Sequence, residues 1–123
     1  MSDKPIAERL QVKGDRRLAV VGAPAAVDGK IGAKKARGDI SEAEVVLLFV
    51  ENRARLDAAL PGTLKKAAKD SVLWIAYPKL TSKLAGDLNR DIIHELAPKH
   101  GIDAVSQIAI DDDWSALRFK RIS

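Results

Sequence analysis

Val45-Val46-Leu47-Leu48-Phe49-Val50 is an unbroken apolar run with no polar residue alternating through it. A second run of the same kind, Val72-Leu73-Trp74-Ile75-Ala76-Tyr77, follows some twenty residues later. A strand that is apolar on both sides must be covered on both faces, as in the interior of a parallel α/β sheet. A shorter β-rich run, Leu18-Ala19-Val20-Val21-Gly22, precedes both. Parallel neighbours need long crossover connections, and the segments between these runs are long enough to supply them.

Working outward, residues 52–68 carry Leu56, Ala59, Leu60 and Leu64 at helical spacing. Pro61-Gly62 predicts two short helices there with a turn between them. Leu88, Ile92 and Leu96, with Ile93 beside them, predict an amphipathic helix over 85–97, stopped by Gly101. Residues 104–110 and 114–121 are β-rich and joined by Asp111-Asp112-Asp113, the pattern of an antiparallel hairpin. Its second strand alternates, with Trp114, Ala116, Arg118 and Lys120 on one side, and is expected near a sheet edge. Ahead of the first long run, a short helix is expected from Ala25 and a short basic edge strand at residues 34–37. Residues 5–12 are expected to make one or two helical turns. The expected fold class is α/β: one domain over residues 1–123, a small, mostly parallel Rossmann-like sheet with helices on both faces and a C-terminal antiparallel hairpin.

The chain has 123 residues, 46% hydrophobic and 31% charged, which is a globular composition. With no cysteine, disulfides, thiolate zinc sites, iron–sulfur clusters and cysteine nucleophiles are excluded. The net charge of +4 comes from the first third, through Lys13, Arg16, Arg17, Lys30, Lys34, Lys35 and Arg37. A charge of this size is expected to keep a small protein soluble, and aromatic residues at 4% leave no row of base-stacking rings. Nucleic acid is therefore not the expected partner. Neither an apolar leader nor a run of spanning length is present, so a cytoplasmic location is expected and no membrane partner.

Signature chemistry is sparse. A nucleotide or S-adenosylmethionine site in such a sheet needs a glycine-rich turn after the first strand and an acidic residue after the second to hold the ribose. Here the turn reads Val21-Gly22-Ala23-Pro24-Ala25-Ala26, with one glycine and a proline that has no N–H. Lys35-Ala36-Arg37-Gly38 stands where the acid is expected, with Asp39 the nearest carboxylate. P-loop and nucleophile-elbow patterns are absent. His94 and His100 fall on different faces of their helix, and Asp111-Asp112-Asp113 lacks the spacing of a calcium loop. No cofactor, metal or catalytic residue is expected.

Ligands of open α/β sheets bind outside the carboxyl ends of the strands. The richest end is Pro78-Lys79-Leu80-Thr81-Ser82-Lys83. Arg53 leaves the neighbouring strand at the same edge and Arg90 lies near the start of the next helix. Lys79, Thr81, Ser82, Lys83, Arg53 and Arg90 are thus the candidate ligand-binding residues, suited to a small anion or nucleotide. Trp114 is a further candidate, to close the site or anchor a partner.

Several blocks resemble a family of short bacterial proteins that form a domain of unknown function. They are Phe49-Val50-Glu51-Asn52-Arg53, Leu73-Trp74-Ile75-Ala76-Tyr77-Pro78-Lys79 with Thr81-Ser82-Lys83, Asp87-Leu88-Asn89-Arg90-Asp91, Val105-Ser106, and Asp111-Asp112-Asp113-Trp114-Ser115-Ala116-Leu117-Arg118-Phe119. The resemblance covers residues 44–120, with Trp-x-x-Tyr-Pro-Lys and Asp-x-Trp-Ser-Ala-x-Arg as its most specific parts. It implies a pared-down, degenerate methyltransferase-like sheet without the glycine-rich turn, and assigns no activity. It places Lys79, Ser82, Lys83, Arg90 and Trp114 inside the shared pattern. The expected function is a non-catalytic binding or regulatory domain, with a protein partner or a second copy at its edge or hairpin. The alternatives are a small-anion or nucleotide binder at the strand ends and an S-adenosylmethionine-dependent methyltransferase.

Overall fold

The structure, a computed structural model, describes residues 5–12, 14–32 and 34–122. Lys13, the first four residues and the Lys34 side chain, on which parts of the basic stretch and the leader expectation rest, lie outside the described residues. The elements run α1 (Ile6–Arg9), β1 (Leu18–Val21), α2 (Ala25–Ile31), β2 (Val45–Phe49), α3 (Arg53–Lys66), β3 (Val72–Pro78), α4 (Arg90–Leu96), β4 (Ile102–Ala109) and β5 (Trp114–Arg121). The five strands form one sheet in the order β1-β2-β3-β5-β4. The first three are parallel, and β5 runs antiparallel to both β3 and β4. Among the described residues no helix is long and apolar enough to cross a membrane.

The apolar runs account for the middle of the sheet. Every residue of β2 is buried, and all but the first of β3. Fully burying such a side chain is worth about 1.5–3 kcal/mol. Alternate residues feed two cores. On the first face, Leu18, Leu47, Phe49, Trp74 and Ala116 pack under Ile6 and Leu10 of the α1 turn and Val27 and Ile31 of α2. On the second, Val46, Leu48, Ile75, Tyr77 and Leu117 pack under α3 and α4 through Leu56, Leu60 and Ile93.

The path from β1 to β2 decides where a ligand can sit. After α2 on the first face, the chain passes the outer edge of β1, where Arg37 makes a single parallel bridge to Leu18 and Gly38 N–H donates to the Leu18 carbonyl at 3.1 Å. Ile40 and Ala43 then pack on the second face before the chain enters β2 on the other side of β1. The winding direction thus reverses between β1 and β2. Such a reversal opens a crevice at the carboxyl ends of the two strands.

Four expectations are corrected. Residues 34–36 form a 3-10 turn, and the edge strand expected there is reduced to the Arg37 bridge. Residues 53–66 make one continuous helix despite Pro61. Leu56, Leu60 and Thr63 hold that helix to the sheet on both sides of the proline, while Pro61 and Gly62 face solvent, so packing outweighs the lost backbone bond. The next helix begins at Arg90, because Asn89 caps it by accepting Ile92 N–H at 3.0 Å. Leu88 is fully buried, but in the irregular segment ahead of the cap. Finally, β5 is an interior strand between β3 and β4, and β4 is the edge. The alternation of polar residues in β5 is therefore no sign of an exposed strand: Arg121, at its end, reaches across to donate to the Leu64 and Ala67 carbonyls at the end of α3.

Candidate functional site

Two cavities open at the carboxyl ends of the parallel strands, one on each face of the sheet. The first, about 370 Å³, lies at the β1/β2 switch point and is lined by Pro24, Val27, Glu51, Leu84, Asp113 and Trp114. Lys30 and Asp111, also in its wall, form an ion pair at 3.3 Å. Its base is set by Trp114, 2% exposed, whose ring meets Phe49 edge to face. Leu84 leans over it from the loop after β3 and is half exposed. Glu51 and Asp113 leave the rim acidic once Lys30 and Asp111 have paired. The chemistry on offer is an apolar floor with an aromatic ring and carboxylates, which suits an organic cation.

Gly22 shapes the first-strand side of this crevice. It ends β1 with φ +75°, and an added Cβ would meet the Phe49 carbonyl oxygen at 3.2 Å. Both the backbone angle and the closeness of β2 therefore call for glycine. The Asp111 side chain orders the opposite rim, accepting the backbone N–H of Asp113 and of Trp114, both at 2.8 Å.

The second cavity, about 320 Å³, lies on the α3/α4 face and is lined by Tyr77, Lys79, Thr81, Arg90, Gln107 and Ser115, with Asn89 and Asp91 beside Arg90. Tyr77 and Ser115 stand directly opposite each other in the β3–β5 ladder and are 4% and 5% exposed. The Ser115 side chain lies close enough to the Tyr77 hydroxyl to favour its charged form. Burial pushes the Tyr77 phenol above its ordinary pKa of 10.0, while Arg90 and the Ser115 side chain pull the other way.

The candidate residues thus separate. Lys79, Thr81 and Arg90 come together in the second cavity. Trp114 lies in the first. Ser82 Oγ donates to the Asp113 carboxylate at 2.7 Å and accepts Leu84 N–H at 3.0 Å, which fixes the loop after β3. The Arg53 backbone N–H donates to the Asp87 carboxylate at 3.0 Å, which ties the start of α3 to the segment before α4, and neither Arg53 nor Lys83 lines either cavity. Tyr77, Gln107, Ser115, Glu51 and Asp113 are not among the candidate ligand-binding residues that the sequence offers. Tyr77 shares a strand face with Lys79 two residues on, a signal that was available; Ser115 and Gln107 join only through the ladder register.

Much of the basic first third is engaged in local structure. Arg37 pairs with Asp28 at 2.8 Å and donates to the Gly32 carbonyl, and Arg17 donates to the Lys35 and Arg37 carbonyls. Among the described residues no cluster of His, Asp and Glu is placed to hold a metal ion.

No family profile matches the chain, and no curated protein matches it in sequence. The domain-of-unknown-function resemblance gains no support there. Solved structures do match. The Methanococcus jannaschii fibrillarin pre-rRNA processing protein is 13% identical with a TM-score of 0.54, over 99% of this chain and 70% of its own. The B. subtilis tRNA methyltransferase TrmK is 11% identical with a TM-score of 0.55, over 98% of this chain and 67% of its own. A putative type 11 methyltransferase from Sulfolobus solfataricus is 8% identical with a TM-score of 0.53, over 95% and 89%. The fold is methyltransferase-like. At these identities the likeness extends to the fold alone.

Proposed function

We propose that the chain binds a small ligand carrying a positively charged centre in the Trp114 cavity, as a domain of methyltransferase architecture. The observation that carries this is the coincidence of the β1/β2 switch point with a cavity that joins Trp114 to the Glu51 and Asp113 carboxylates. S-adenosylmethionine is the first candidate, because the structural neighbours include methyltransferases over nearly the whole chain. Its sulfonium and ammonium charges suit the acidic rim, and Glu51, Asp113 and Trp114 are the residues that would hold that end. Bound there, it would supply an electrophilic methyl group.

The adenosyl end fits less well. Gly22 stands alone where a cradle of glycines is expected, Pro24 has no N–H to offer, and beyond β1 there is only the Arg37 bridge rather than a strand end with an acid for the ribose. These observations favour a second reading, a non-catalytic binding or regulatory domain on a degenerate methyltransferase sheet. Its ligand would be a smaller cation, or its partner a protein or a second copy at the β4 edge.

Titration calorimetry with S-adenosylmethionine and with S-adenosylhomocysteine separates the two. Saturable binding of both, weakened in Glu51→Gln, supports the methyltransferase reading. No heat from either, with the protein folded by circular dichroism, leaves the non-catalytic domain.

A further inference from the structure

We infer that the second cavity is a seat for a small oxyanion, a phosphate or carboxylate group, held between Lys79 and Arg90 above the hydroxyls of Tyr77 and Ser115. It lies on the opposite face of the sheet from the Trp114 cavity and does not depend on what binds there.

The cavity combines two cations with five neutral polar side chains, against the single carboxylate of Asp91. Lys79 forms no ion pair among the described residues, and Arg90 reaches only the exposed Asp91, at 3.6 Å. Asn89 spends its side-chain oxygen on the Ile92 N–H, which leaves its amide N–H groups available. Thr81 and Gln107 add donors from the β3 loop and from β4. The floor is what distinguishes this arrangement from a solvated basic surface. Tyr77 and Ser115 are more than nine-tenths buried, yet both line the cavity, side by side in the β3–β5 ladder. Buried polar groups normally find hydrogen-bond partners, and a ligand in this cavity would supply one. A hydroxyl floor beneath a guanidinium and an ammonium group is a donor-rich environment, and an oxyanion is the ligand that accepts from all of it. The volume matches a ligand no larger than a phosphorylated or dicarboxylic metabolite.

Tyr77 is the chain's one tyrosine, so its absorbance reports on the cavity alone. An anion seated beside it disfavours the phenolate and raises the phenol's titration midpoint further. Arg90 and Asp91 on α4, Lys79 after β3 and Ser115 on β5 are the groups facing it, and all must be considered in reading that midpoint.

The test is a thermal-shift and calorimetric titration with inorganic phosphate and, separately, succinate, at ionic strength held constant with sodium chloride. A saturable stabilisation by phosphate alone assigns a phosphoryl ligand, and by succinate alone a carboxylate. Lys79→Met and Arg90→Met should each weaken binding about tenfold, the loss of one charge-assisted contact. Lys65→Ala, an exposed lysine on α3, should leave binding unchanged. Tyr77→Phe, which keeps the packing, should weaken it several-fold even if the charge variants fold poorly. No saturable shift with either anion overturns the proposal. So does an equal shift in Arg90→Met, or a Tyr77 midpoint that is unmoved at saturation.

Discussion

The Phe49 and Trp114 rings meet edge to face, with centroids 5.0 Å apart and planes at 68°. They come from β2 and β5, the two neighbours of β3, and Ala76 in β3 pairs with Phe49 on one side and Ala116 on the other. The small side chain of Ala76 leaves room for the rings to meet across it. Trp114→Ala should destabilise the protein by about 3–5 kcal/mol, the usual cost of removing a buried aromatic ring. Urea unfolding measures the loss. A cost below about 0.5 kcal/mol, the range of substitutions at unconstrained surface sites, would show that the ring is not part of the packed core.

Gly22 couples the strand ends more directly than either ring. With φ +75° and the Phe49 carbonyl 3.2 Å from an added Cβ, Gly22→Ala carries left-handed strain of about 1–2 kcal/mol and pushes β1 from β2. Lower stability together with altered ligand affinity in the Trp114 cavity is the expected result. Unchanged unfolding would place the β1 turn in a different conformation.

On the first face, the Trp74 indole N–H donates to the Leu10 carbonyl at 3.0 Å in the buried core. This bond ties the four-residue α1 turn, too short to persist alone, to the middle of β3. Trp74→Phe leaves the carbonyl unpaired, at a cost of about 1–3 kcal/mol in addition to the lost ring volume. Hydrogen exchange should show residues 6–12 losing protection before the sheet does. Uniform loss across the chain would mean that α1 unfolds only with the whole domain.

The extent to which all this was legible follows from where the information lies. Residues 45–50 and 72–77 announced buried strands because burial on both faces leaves a continuous apolar run. β5 did not, because its interior place depends on β4 folding back as the edge, and pairing partners leave no local trace. Leu88, Ile92 and Leu96 kept a helical period across a boundary that the Asn89 cap moved to Arg90. Lys79, Thr81 and Arg90 were found together because a strand end and the start of the following helix are neighbours in any crossover unit. Tyr77 was read as core, and it is core; only its register against Ser115 shows that its hydroxyl also faces a cavity.

That hydroxyl makes stability depend on alkaline pH. Burial holds the Tyr77 phenol above its ordinary value of 10.0 in the folded state. Above about pH 10 the unfolded chain releases this proton while the folded chain keeps it, so unfolding becomes favoured as pH rises. The contribution is intact below that pH and is lost as pH climbs toward the folded midpoint. Urea midpoints measured across the alkaline range should fall for the native sequence and fall less for Tyr77→Phe. Parallel curves for the two proteins would remove Tyr77 as the source.

The helix that ignores its proline offers the converse case, a site where substitution should help. Pro61 lies inside α3 on the solvent side and denies the Asp57 carbonyl its backbone donor. Alanine restores that bond. The helix penalty of proline is about 3 kcal/mol, offset by roughly 1 kcal/mol because proline also restricts the unfolded chain. Pro61→Ala should therefore stabilise by roughly 2 kcal/mol. Gly62 is exposed, has no strained φ, and an added Cβ would meet nothing within 4 Å. Gly62→Ala should add about 1 kcal/mol by helix propensity alone. Thermal unfolding of the two single variants tests both values. A Pro61→Ala variant that melts lower than the parent would mean that α3 is bent at the proline to fit the sheet, with Leu60 and Thr63 held in place by that bend.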